Sequence, residues 1–143
     1  MGLDAVLTVI PASEYRKLRA DPRHYVPRAV SKFDLYREWN ALDVALNWLG
    51  NPLGLALRGD RPDLESFEDD WEIYSAIVTG ALVKKLAKAL TKVTAKLILA
   101  ALKDAGWRLT ASERKDCVSA LKTLNLAYRS AAKNSAIVCI LIC

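Results

Sequence analysis

The sequence predicts an α+β fold: a small mixed β-sheet with about four helices packed on it, in the order β-α-α-β-β-α-α-β. Three observations carry that prediction. The chain opens and closes with short runs of β-branched and aliphatic residues, LDAVLTVI and AIVCILI. Between them, leucines recur every three or four residues. Those periodic segments are bounded by residues that start or stop helices. At 143 residues and 52% hydrophobic composition, the chain is read as one domain spanning 1–143. A chain of that size buries enough surface to fold without a metal or a disulfide.

Leu3 to Ile10 has strand composition, and Pro11 ends it. Ser13 is the expected cap of a short helix, SEYRKLRAD, closed by Pro22. Residues 23–32 hold Pro27 and several bases and read as a connecting loop. From about Phe33 to Leu49, the spacing of Leu35, Trp39, Leu42, Leu46 and Leu49 places them on one helical face. Gly50 follows, where a helix commonly ends in the left-handed conformation. PLGLALRG, Pro52 to Gly59, reads as a short apolar strand, and Ile73 to Val78 as another.

Thr79 is the expected cap of the longest helix, which the pattern carries unbroken to about Asp104, with a stop at Gly106. Thr110 and Glu113 form a T-x-x-E capping box for the last helix. Along that helix Cys117, Leu121, Leu124, Tyr128 and Ala131 make one apolar line. Asn134 ends it, and Ala136 to Ile142 is the final strand.

Composition narrows the function classes. No stretch approaches the ~20 apolar residues needed to cross a bilayer, so no membrane association is expected. The opening MGLDAVLTVIP contains an acid and no basic region, unlike a secretory leader. The cysteines, Cys117, Cys139 and Cys143, are odd in number and form no CxxC pair. They read as reduced thiols of a cytoplasmic protein. The single histidine, His24, stands in a Pro- and Arg-rich loop with no nucleophile or base beside it. Neither GxGxxG nor GxxxxGK[ST] occurs. No catalytic residue, metal or cofactor is therefore assigned, and an enzyme is the less favoured class.

Charge is more informative. Residues 60–72 hold seven of the 16 acids and one of the 21 bases, so the rest of the chain carries 20 bases and nine acids. Asp69 and Asp70 stand next to Trp71, which makes that stretch a candidate contact for a partner. On an unbroken helix, Lys84, Lys85, Lys88, Lys92, Lys96 and Lys103 project into one sector about 120° wide. Leu99 falls among them and interrupts the row. Such a face is a candidate surface for an acidic protein or a polyanion. Asp43, Arg58 and Asp60 are the polar candidates for a ligand pocket between sheet and helices.

Several landmarks together resemble the YfbM-like family of bacterial proteins, a domain of unknown function. They are the MG start leading into a strand, REWNALDVALNWLGN, PLGLALRGDRPDL, VTGALVKKLAKAL, and the ending AYRSAAKNSAIVCILIC. Two features depart from the family's pattern: KDAGWRLTASE replaces a segment that often shows Tyr-Pro and Trp, and the net charge is +5 where acidic members are expected. The resemblance implies a single α+β domain and supplies no catalytic residues.

The sequence thus favours a non-enzymatic protein-binding domain, for example an immunity protein or antitoxin that neutralises a toxin by direct binding. Asp69, Asp70, Trp71, Lys84, Lys85, Lys88, Lys92 and Lys96 are its contact candidates. A small-ligand or enzymatic domain built around Asp43, Arg58 and Asp60 is the alternative. Nucleic-acid binding through the Lys84–Lys103 face is a second alternative.

Overall fold

The first and last strands lie side by side. A computed structural model describes residues 4–21, 26, 28–60 and 76–142. In it β1 (Ala5–Pro11) pairs antiparallel with β4 (Ala136–Ile142) along its whole length, from Ala5 opposite Ile142 to Pro11 opposite Ala136. β2 (Ser31–Tyr36) adds to the free edge of β1, and β3 (Ala76–Val78) to that of β4. The order is β2-β1-β4-β3, and the sheet is antiparallel throughout its described strands rather than mixed. The α+β class stands.

Alternation along the strands assigns side chains to the two faces. Ala5, Leu7 and Val9 of β1 and Ala136, Val138 and Ile140 of β4 point into the main core. That core is completed by α2 (Trp39–Leu49), α3 (Gly80–Leu90), α4 (Ala95–Asp104) and α5 (Ala111–Lys133). Ile10, Ile77, Ile137 and Cys139 point the other way and meet Leu18 and Tyr15 of α1 (Ala12–Ala20). Because β4 is covered on both faces, it reads as a continuous apolar run instead of an alternating one.

The long α5 behaves as its sequence requires. The Glu113 amide donates to Thr110 Oγ1 at 3.1 Å, and the Thr110 amide donates to Glu113 Oε1 at 3.0 Å, the reciprocal capping box. Cys117, Leu121, Leu124, Tyr128 and Ala131 are all buried, and Asn134 ends the helix. Tyr128 is fully buried, and its hydroxyl donates to the Ala56 carbonyl oxygen, tying α5 to the chain after α2. Burial holds the Tyr128 phenol well above its ordinary pKa, with the Asp60 charge adding to the shift.

Four readings are corrected. Residues 31–36 form β2 rather than loop and helix start. Phe33 and Leu35 alternate with exposed Lys32 and Asp34, and Leu35 faces the core as a strand residue, so its four-residue spacing from Trp39 is not helical. Pro52 to Gly59 is no strand but successive tight turns around a short 3-10 helix, Leu53–Leu55, with backbone bonds closing locally, as from the Ala56 amide to the Leu53 carbonyl. A short apolar run is compatible with either state, and local closure won. The described order is therefore β-α-β-α-β-α-α-α-β. Ser13 does not cap α1, whose N-terminal flank is Pro11.

The fourth correction concerns the long basic helix, which is two helices. Thr91 Oγ1 donates to the Lys88 carbonyl at 2.6 Å, drawing on the last turn of α3. Thr94, extended at φ −99° and ψ 160°, accepts from the Leu97 amide at 3.2 Å and caps α4. Three β-branched residues in the four of TKVT favour this break, since hydroxyls beside the backbone compete with helical bonding.

Gly59 fits the sheet closely. Its φ is +72°, and a Cβ there would lie 2.5 Å from the Ile77 carbonyl oxygen. Next to it, the Asp60 amide donates to that same oxygen at 3.0 Å. Gly59→Ala is expected to cost about 2 kcal/mol or more through backbone strain and the clash. A urea midpoint unchanged from the parent chain would contradict this packing.

Candidate functional site

The three polar residues assigned to a pocket are engaged in fastening the fold. Asp43 on α2 accepts from Arg58 twice, Nε to Oδ1 at 3.3 Å and Nη2 to Oδ2 at 3.2 Å, and also from Asn47 Nδ2 at 3.0 Å. The Arg58 side chain is 60% exposed, so this pair stabilises by roughly 1 kcal/mol at most. Asp60 accepts from the Thr79 amide at 3.1 Å and from Thr79 Oγ1 at 2.7 Å. Thr79 thus stands at the N-cap of α3, but its hydroxyl bonds to Asp60 rather than to its own helix. The structure brings Asp43 and Arg58 together and sends Asp60 to a different partner. Asp69, Asp70, Trp71 and His24 lie outside the described residues.

The lysines are placed by the break between α3 and α4. Lys84, Lys85 and Lys88 are exposed on α3, opposite buried Val83, Leu86 and Leu90. Lys92 is exposed in the turn, and Lys96 and Lys103 are exposed on α4. The buried stripe of α4 is Ile98, Ala101 and Leu102, and Leu97 is 44% exposed. The single 120° sector therefore does not exist. Two shorter cationic faces replace it. Among the described residues none of these six lysines forms an ion pair. Lys88 and Lys103 stand in last turns, where the helix dipole favours a cation. Lys96 stands in the first turn of α4, at the positive end, where it does not.

Beside α4 lies a hollow that the sequence pattern did not reveal. It has a volume of about 730 Å³ and runs along α4 to the start of α5. Its apolar lining is Leu99, Ala100, Leu102, Trp107 and Leu109, and its cations are Lys96, Lys103, Arg108 and Arg114. Among the described residues no acid, hydroxyl or amide side chain lines it. The wall is held by the way α4 ends. The Gly106 amide donates to the Lys103 carbonyl at 3.0 Å and the Trp107 amide to the Leu102 carbonyl at 2.9 Å, a Schellman closure with Gly106 at φ +88°. That closure brings Trp107 back over the helix end, where it packs half-buried against the main core. Arg114 Nη1 donates to the Leu109 carbonyl at 3.3 Å, fixing one rim cation. The available signals were Leu99, out of place among lysines, and the Gly106-Trp107 pair.

A second hollow, of about 370 Å³, has the opposite sign. Asp34, Glu38 and Asp116 contribute its charge, beside Tyr36, Ser119 and Thr123. The Tyr36 amide donates to Asp34 Oδ1 at 2.7 Å, which occupies one of those carboxylates. Among the described residues no cluster of three or more His, Cys, Asp or Glu is arranged to hold a metal ion.

Two of the three thiols, Cys117 and Cys139, are buried, and Cys143 lies outside the described residues. Burial pushes the Cys117 pKa up to about 11, with the Glu38 charge adding to it, and burial pushes Cys139 up to about 12. A thiol whose pKa is raised on folding favours the folded state below its unfolded value near 9 and loses that contribution as pH climbs toward 11 and 12. Stability is thus expected to decline above pH 9. At pH 8, iodoacetamide is expected to leave both cysteines unmodified in the native chain and to alkylate them in guanidinium. Native-state alkylation of either, read by peptide mass, would contradict their burial.

No helix among the described residues is long and apolar enough to cross a membrane. Comparison of the chain with protein-family models, with curated proteins and with solved structures finds no match to any of them.

Proposed function

We propose that this chain is a non-enzymatic domain that acts by binding a protein partner through the cationic side formed by α3 and α4. The observation that carries the reading is the set of exposed lysines, Lys84, Lys85, Lys88, Lys92, Lys96 and Lys103, with no acid paired to any of them among the described residues. Like charges spaced three or four residues apart repel by a few tenths of a kcal/mol per pair, and Lys96 opposes its helix dipole as well. An acidic partner removes both penalties and gains speed of encounter, because complementary charge steers association. Neutralisation of a toxin is one activity of this kind, and membership of the YfbM-like family is part of the same proposal.

The test uses the full chain, tagged, in an extract of its source organism. A protein partner retained in equal stoichiometry is expected, and a folded variant carrying Lys84→Glu, Lys88→Glu and Lys96→Glu is expected to lose it. Retention of nucleic acid alone, released by nuclease and falling steeply with salt, would count for the polyanion reading instead. Recovery of no stoichiometric protein would sink the proposal.

A further inference from the structure

We infer that the hollow along α4 is the anchor pocket of this interface and that it receives an acidic peptide segment of the partner. In that segment one bulky apolar side chain is flanked by carboxylates. The inference rests on the binding role above and adds where the partner is held and what chemistry it brings.

Charge complementarity selects the occupant. The floor formed by Leu99, Leu102, Trp107 and Leu109 favours an aliphatic or aromatic side chain, while every charge in its described lining is positive. Lys96, Lys103 and Arg108 make no ion pair with any described residue, and no carboxylate of the hollow's own lining answers them. Lys96 and Lys103 are seven residues apart on one helix, hence roughly 10 Å along its axis. That span matches carboxylates placed on either side of one anchoring residue in a peptide.

Other occupants match the lining less well. Small-molecule sites fix their ligand with a few well-placed polar groups, and here the polar groups are long flexible cations only. Single-stranded nucleic acid is held by successive stacking aromatics, and Trp107 is the one aromatic residue in this lining. An anchored apolar side chain within a ring of charge is the arrangement typical of protein interfaces.

The experiment selects from displayed random 12-residue peptides against the full chain and then measures the best synthetic peptide by calorimetry. Selected sequences are expected to place Asp or Glu around one Leu, Ile, Phe or Trp. Ala100 is exposed on α4, so Ala100→Trp fills the hollow while leaving the core untouched. It is expected to weaken the peptide at least about tenfold, as loss of an anchor pocket does. Lys103→Glu with Arg108→Glu is expected to do the same. Arg16→Glu with Lys17→Glu, exposed on α1 across the sheet from the helical layer, is expected to change affinity about twofold or less. Circular dichroism confirms that each variant is folded. Selection of no peptide, selection without acids, or full affinity in Ala100→Trp would overturn the inference. If Ala100→Trp still retains the natural partner while the lysine variant of α3 and α4 loses it, the anchor pocket is wrong and the binding role stands. If no form of the chain retains a protein, both fall.

Discussion

The antiparallel pairing of β1 with β4 is the contact on which the rest of the structure depends. It joins residues 5–11 to residues 136–142, the largest sequence separation available to the described chain, and sets both in the middle of the sheet. β2 and β3 each border one of its two strands, so the four strands become one sheet only through that ladder. The main core depends on it as well, since Leu7, Val9, Val138 and Ile140 form the surface on which the helices lie. Closing so long a loop carries an entropic cost before any contact repays it. Burial of most of both central strands, by α1 on one side and the helical layer on the other, is what offsets it.

With four helices gathered on one face, their mutual packing decides which surfaces stay exposed. α4 leans on α2 and α5, whereas α3 packs on α5 and the sheet. One straight helix from Thr79 to Asp104 could not serve both sets of neighbours. The break at Thr91 to Thr94 re-aims the second half, turning Ile98 and Leu102 inward and leaving Leu99 in the lining of a hollow. The same residues that spoil a uniform lysine face therefore supply an apolar floor beneath a cationic rim. Asp43, Arg58 and Asp60 show the converse. Placed near one another in sequence, they are consumed in securing α2 and the start of α3.

Legibility from sequence followed the range of the forces involved. The α5 capping box, its apolar line and the β4 run were readable because each is specified by residues within a few positions of one another. β2 was not, because SKFDLY becomes a strand by pairing with β1, a partner some twenty-five residues away. The turns at 52–59 were missed for the opposite reason: PLGLALRG has strand composition, but Gly59 must press against Ile77 and the intervening amides close on themselves. For the candidate site, the unpaired lysines were visible as a charge pattern. The hollow was not: its described lining falls within residues 96–114, but those side chains meet only once the turn at Gly106 folds Trp107 back over the end of α4.

Recognition is proposed for the cationic helical side, with α4 at its centre. Amide hydrogen exchange of the full chain, alone and with its retained protein partner, tests that claim most directly. Slowed exchange is predicted across residues 96–114, with the sheet unchanged. Protection confined to β2 and the Asp34, Glu38 and Asp116 hollow, with residues 96–114 exchanging as in the free chain, would contradict it.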